Sequence, residues 1–336
     1  MSNLRSTAAE SLMVSRSHFI TDCEHAASLL RAGRLVAFPT ETVYGLGADA
    51  TNAMAVAAIF EAKQRPTFDP LIVHVANVGQ ATEVVSEFPP AAKSLADAFW
   101  PGPLTLVLPK RSSIPDLVTA GLAGVGVRIP RHPLALRFLN CVQRPVAAPS
   151  ANPFGGISPT SAQHVFDGLG NKVDAILDGG PCEVGIESTV VSFMESRPVV
   201  LRPGGCPIED IERLIGPLDR AVSDPSRDDS AQSAPGMLSR HYAPKTPLLL
   251  IDPDQKAVAV SGRQCGLLTY GTAAESGTFA RLENLSPSSD QQTCAARFFA
   301  ALRSLDSAGL DVIIARRFPE SGLGIALNDR LQRAAG

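Results

Sequence analysis

Apolar and polar positions along this chain fall into short blocks that read as helices and strands in turn. HAASLLRAG has apolar residues at helical spacing and is closed by Gly33, before the apolar run LVAFPT, which reads as a buried strand. AMAVAAIFEAK keeps helical spacing with no breaker, and PLIVHV and LTLVLP read as strands. PAAKSLADAF is helical and stops at Trp100-Pro101, because proline cannot continue a helix. HPLALRFLN predicts another short helix, and RPVAAPSAN a strand running into a loop. SAQHVFDGLG reads as a helix capped by a Ser or Thr of PTS; VDAILDGG, STVVSF and PVVLRPG then read as strands with glycine turns.

Residues 218–246 break this rhythm. DRAVSDPSRDDSAQSAPGM is rich in Asp, Ser and Pro, has little apolar surface to bury, and reads as a linker. Beyond it, TPLLLID, CGLLTYG and DVIIAR predict strands, and QQTCAARFFAALRSLDSAG and NDRLQRA predict helices. This alternation suggests a small parallel α/β domain. The pattern therefore divides the chain into a first domain over 1–217, a linker over 218–246 and a second domain over 247–336.

Composition narrows the class without naming a chemistry. With 336 residues, 45% of them hydrophobic, the chain can bury a large core in two domains. No run reaches the roughly 18 apolar residues of a membrane span, and MSNLRSTAAESLMVSRSHF lacks the apolar stretch of a signal peptide. The six cysteines are scattered with no C-x-x-C pair, as expected of reduced core thiols in a cytoplasmic protein with no structural zinc or disulfide framework. A formal net charge of −3 argues against holding nucleic acid by bulk electrostatics, although a local basic groove stays open.

The densest chemistry lies between Pro39 and His74. PTETVYGLGADA puts Thr40, Thr42 and Tyr44 at the end of the LVAF strand, followed by Gly45 and Gly47, where a ligand could approach backbone. In AKQRPTFDPLIVHV, Lys63 and Arg65 alternate; on an extended segment they would point to one side and grip a polyanion together. Read singly, they are two solvated charges, and His74 is a hydrogen-bonded core histidine. There is no G-x-x-x-x-G-K-[ST], and the glycines at 121, 124 and 126 lack dinucleotide-fingerprint spacing, so a nucleotide site must be built from side chains and turns.

PTETVYGLGADA, KQRPTFDPLIVHV, FWPGPLTLVL, VGVRIP, APSANPFGGISPT, GIESTVV and LRPGG occur in this order. Together they resemble the Sua5/YrdC family of threonylcarbamoyl-AMP synthases over residues 20–215. The likeness continues through PGMLSRHYAPKTPL to GLGIALNDRL, as in the longer Sua5 form. The resemblance implies an α/β fold: a YrdC-like synthase domain with a twisted mixed sheet and a smaller Rossmann-like C-terminal domain. It also implies a nucleotidyltransferase that converts L-threonine, bicarbonate and ATP to threonylcarbamoyl-AMP and pyrophosphate. Magnesium would arrive with ATP and not at a dedicated protein site. The product would serve threonylcarbamoyl-adenosine formation in tRNA, through downstream transferase partners.

The same resemblance assigns residues. Lys63 and Arg65 would bind the triphosphate and offset charge on the leaving pyrophosphate. Asp69 falls at a nucleotide-contacting position, although an acid there repels phosphate unless a cation or ribose hydroxyl intervenes. Ser150, Asn152, Ser158 and Arg202 would bind ATP, with Gly124 as a backbone contact. Thr42, His74, Arg128, Ala148 and Ser188 match threonine-contacting positions, with Arg128 pairing the substrate carboxylate. In longer members the linker reaches back over the site, so His241 and Tyr242 would cover the nucleotide. Two other classes stay open. One is an RNA-binding module, against which the acidic balance and few aromatics speak. The other is a carbamoyl-transfer relative of the hydrogenase-maturation type, which usually adds zinc-finger segments absent from this chain.

Overall fold

The computed structural model describes residues 18–221, 232–272 and 275–336. The N-terminal stretch read above as lacking a signal peptide lies almost wholly outside the described residues, as does the Asp/Ser-rich 222–231 half of the linker.

In the first domain the strands are β1 (Phe19–Ile20), β2 (Val36–Phe38), β3 (Gly45–Asp49), β4 (Ile72–His74), β5 (Leu104–Pro109), β6 (Gly124–Arg128), β7 (Val146–Ala147), β8 (Ala175–Leu177), β9 (Thr189–Ser192), β10 (Val199–Arg202) and β11 (Asp219–Arg220). They form one sheet in the order β1-β8-β2-β3-β7-β4-β6-β5-β9-β10-β11. Pairing is mixed: β4 runs parallel to β6, whereas β7 is antiparallel to both β3 and β4. The helices are α1 (Cys23–Arg31), α2 (Ala53–Lys63), α3 (Val78–Val84), α4 (Pro90–Phe99), α5 (Pro133–Val142), α6 (Ala162–Leu169) and α7 (Ile208–Ile215). Local chemistry sets their ends. Asp22, Asn52 and Asn77 cap α1, α2 and α3, and Ser161, from the PTS run, caps α6. Helix α4 ends at Phe99, before Trp100-Pro101.

In the second domain, β12 (Leu248–Ile251), β14 (Cys265–Thr269), β16 (Arg281–Asn284) and β17 (Val312–Arg316) form an all-parallel sheet in the order β12-β17-β14-β16. β13 (Ala257–Val258) and β15 (Glu275–Ser276) make a separate two-stranded ribbon. Helices α8 (Gln291–Asp306) and α9 (Leu323–Ala335) follow, α8 capped by Asp290. Phe298, Phe299 and Ala295 of α8 bury themselves in the same apolar cluster as Val43, Ile157 and Ile186 of the first domain and Tyr242 of the linker. The two domains thus share a core at their junction.

Two expectations need correction. Lys63 and Arg65 are not on an extended segment: α2 ends at Lys63, and Gln64 takes a left-handed conformation (φ 53°) that turns the chain before Arg65. The linker is also not uniformly solvated. Gln232, Ala234, Leu238, His241 and Tyr242 are buried, so its second half is a strap packed between the domains.

Candidate active site

The site forms where several strand ends of the first sheet converge. The parallel pairing of β4 with β6 places His74 beside Arg128, and Ala148 directly follows β7. Ser188 immediately precedes β9, and Arg202 closes β10. The strap supplies the facing wall with Pro235, Gly236, His241 and Tyr242. Thr42, Arg65, His74, Arg128, Ala148, Ser150, Ser188, Arg202, His241 and Tyr242 therefore line one cavity of about 50 Å³.

Other expected residues stand behind that lining. The Lys63 ammonium donates to the backbone carbonyls of Ser150 (2.7 Å) and Asn152, and burial pushes its pKa well below the usual lysine value. Lys63 thereby pins the SAN loop and does not line the cavity. Asp69 is fully buried and ion-paired to Arg65, Nη2 to Oδ2 at 2.9 Å. Arg65 is thus the intervening cation that an acid at this position requires. Asn152 donates to the carbonyls of Pro153 (2.8 Å) and Gly156 (2.9 Å), shaping the turn after Ser150. Ser158 donates to Glu187 Oε1 at 2.5 Å. Gly124 opens β6 and lines a separate narrow recess with Thr105, Val107 and Ala234.

The lining is strongly cationic and held in place. Arg65 also donates to the carbonyls of Asp69 (3.1 Å) and Pro70 (2.8 Å). Arg128 Nη1 donates to Thr42 Oγ1 at 2.8 Å, and its Nη2 pairs with Glu41 at 2.8 Å. Arg202 donates through Nη2 to the carbonyl of Ser188 (2.9 Å) and through Nη1 to that of Pro235 (2.8 Å), joining β10 to the strap. Burial pushes the pKa of Arg65 and of Arg202 down. Burial, and then the charge of Arg128, pushes His74 down to about 3. His241 is driven well below its ordinary value by burial first, with Arg65, Lys63 and Arg202 adding to it. Both imidazoles are therefore neutral at physiological pH.

Several polar atoms at the cavity have no hydrogen-bond partner among the described residues. His74 Nδ1, His241 Nδ1 and the Tyr242 hydroxyl are buried without a hydrogen bond. Folded proteins rarely leave such groups unmet, because each costs roughly 1–3 kcal/mol. Their gathering around one cavity with three guanidinium groups describes a site built for a polar, anionic ligand.

Sequence reasoning missed Glu41 and Glu187. Glu41 sits within PTET and neutralises Arg128 from behind, and Glu187 lines the cavity in IEST. The signal available was their position inside motifs already singled out. Arg330, which pairs with Glu187 from α9, lies in the GLGIALNDRL run already singled out, but nothing local pointed to that pairing.

The chain is similar to known proteins along most of its length. A family model described as "Telomere recombination" (Sua5_yciO_yrdC) matches residues 28–204, and one described as "Threonylcarbamoyl-AMP synthase, C-terminal domain" matches residues 206–336. The threonylcarbamoyl-AMP synthase of Pyrococcus abyssi is 42% identical over 322 residues, covering 93% of each chain. That of Bacillus subtilis is 44% identical over 323 residues, covering 93% of this chain and 92% of its own. Among solved structures, P. abyssi Sua5 complexed with L-threonine superposes with a TM-score of 0.85 at 40% identity, covering 95% of this chain and 97% of its own.

Proposed function

The chain belongs to the threonylcarbamoyl-AMP synthase family, and from that premise we propose that its basic cavity takes L-threonine, bicarbonate and ATP and releases threonylcarbamoyl-AMP and pyrophosphate. The observation that carries this reading is the set of unpartnered buried atoms on His74, His241 and Tyr242, in a cavity that Arg65, Arg128 and Arg202 also line. Threonine supplies a carboxylate for Arg128 and a hydroxyl and amine for Thr42, His74 and Ser188. ATP supplies phosphates for Arg65 and Arg202 and further acceptors for Ser150, His241 and Tyr242.

The reaction has two steps. The deprotonated amine of threonine attacks the bicarbonate carbon and water leaves, forming a carbamate. A carbamate oxygen then attacks the α-phosphorus, the bond to the bridging oxygen breaks, and pyrophosphate departs with the electron pair. Neither step needs a protein nucleophile, so placement and charge neutralisation supply the rate. Arg65 and Arg202, fixed by backbone carbonyls and dry when the strap is seated, are preorganised for the charge on pyrophosphate. Lys63 acts from behind by holding the Ser150–Asn152 backbone. Magnesium enters on the triphosphate as part of the substrate. Among the described residues the cavity lining offers one carboxylate, Glu187, and both of its oxygens already have partners.

The strap is the gate. About 50 Å³ holds a few waters but no nucleotide, so ATP enters only when residues 232–242 lift away. Closure then shields the carbamate and mixed anhydride from water. The product passes to transferase proteins that modify tRNA.

The deciding assay is pyrophosphate release by the full chain with single-component omissions. The expected result is release that requires threonine, bicarbonate and ATP together. Release without threonine, or none with all three and magnesium present, refutes the proposal.

A further inference from the structure

Arg330 belongs to α9 of the second domain, yet its side chain is wholly buried against the first. Its Nε donates to Glu187 Oε2 at 3.1 Å, and its Nη1 donates to the carbonyl of Pro203 at 2.6 Å and to Asp329 Oδ2 at 2.9 Å. Its guanidinium carbon lies 5.4 Å from the centre of the Tyr242 ring. Arg330 does not line the cavity, but it touches two residues that do, one from the first domain and one from the strap.

Among the described residues, Glu187 is the one carboxylate in a lining that includes three arginines. Left unpaired, it would repel a polyphosphate or draw Arg202 into an internal ion pair, removing a phosphate grip. Its charge has to be met from outside the cavity, and Arg330 stands there. We propose that Arg330 is a positioning residue through which the second domain keeps Glu187 engaged, so that the cavity presents net positive charge to ATP. The second domain thus completes the electrostatics of the site in cis. This proposal rests on reading the cavity as a nucleotide site.

The test is ATP affinity of the full chain by calorimetry, without threonine or bicarbonate, for the wild type, R330M, E187Q and E187Q/R330M. R330M is expected to bind ATP at least about tenfold more weakly, with threonine affinity changed less than about threefold. E187Q/R330M is expected to bind ATP more tightly than R330M and to regain most of the loss. A purely structural role for Arg330 would give the same rescue of stability, but R330M would then lose threonine affinity as much as ATP affinity. A double variant as weak as R330M, or an R330M that loses no ATP affinity, overturns the proposal. So does a tenfold loss in E187Q alone, because Glu187 would then contact the ligand itself. If R330M does not fold, R330Q takes its place, since it also removes the charge, and the same rescue by E187Q is required. A wild-type chain that binds no ATP overturns the nucleotide reading along with this proposal. A wild type that binds ATP while the rescue fails overturns the role of Arg330 alone.

Discussion

The Tyr242 hydroxyl rests against the backbone of Gly236, so close that a Cβ built on residue 236 would stand 2.5 Å from it. Gly236 also has φ +77°, a conformation that residues with a side chain rarely adopt. A side chain at position 236 would therefore have to displace Tyr242 or push the strap off its present course. Gly236→Ala should hold the strap ajar and lower pyrophosphate release at least about tenfold, while costing the fold only about 1–2 kcal/mol. Adding Tyr242→Phe removes the clashing oxygen and should return part of the stability, read by thermal unfolding. An alanine variant with full turnover contradicts the closed strap.

Arg65 has two duties that a single substitution confuses. Arg65→Ala removes a phosphate grip and also leaves the Asp69 carboxylate buried without its ion pair. The second effect alone should cost about 3–5 kcal/mol. Arg65→Met with Asp69→Asn removes both charges and should regain most of that stability but none of the ATP affinity. Denaturant midpoints and ATP calorimetry on the two variants separate the duties. Recovery of ATP binding in the double variant would refute the role of Arg65.

His74 makes stability fall on the acid side. In the unfolded chain an imidazole takes its proton near pH 6.5, but in the folded protein His74 resists protonation down to about 3. Between these values the unfolded state binds the extra proton, so stability is complete above pH 6.5 and declines as pH falls toward 3. The slope is about 1.4 kcal/mol per pH unit for one proton. His164, lowered to about 4 by burial and then by Arg303, adds in the same sense. Urea unfolding from pH 7.5 to 4.5 should show a shallower decline for His74→Gln than for the wild type. Identical slopes would show that His74 takes up its proton as readily in the native state as in the unfolded chain.

Removing residues 218–336 should leave a folded but weakened first domain. Val43, Ile157 and Ile186 lose the apolar partners they share with Phe298 and Phe299, and the cavity loses its strap wall. The truncated chain should unfold at lower temperature, expose an apolar patch to a hydrophobic dye and release pyrophosphate at least tenfold more slowly, roughly the scale of a lost lid. Undiminished turnover in a monodisperse truncated chain rules out the strap as a gate.

Much of the fold was legible because the apolar blocks keep clean periods. The main misreading among the strands was β3. Gly45 and Gly47 read only as points of close backbone approach beyond the LVAF strand, yet GLGAD is itself a fully buried strand paired with β2. Glycine is used there for packing: a Cβ at residue 47 would stand 3.0 Å from Val146 and 3.1 Å from Phe38. The positions of Lys63 and Arg65 turned on one left-handed residue, Gln64, which alternation of charges does not foretell. At the site, motif order brought Thr42, His74, Arg128, Ser188 and Arg202 together across five strand ends. Arg330 stayed invisible because its partner, Glu187, lies 143 residues away in sequence, and only tertiary packing joins them.

The strap is fastened largely through its main chain. Gln232 donates its backbone N–H to Phe68, His241 to Arg333 and Ala243 to Gly155, while the carbonyls of Pro235, Met237 and Leu238 receive Arg202 and Arg333. Backbone groups are the same whatever residue carries them. Apart from Gly236, the buried Gln232, Ala234 and Leu238 and the His241–Tyr242 pair, mutation can therefore rewrite side chains of this segment without changing its route across the molecule. The catalytic roof is open to neutral drift in its letters while its course stays inherited through two arginines anchored elsewhere.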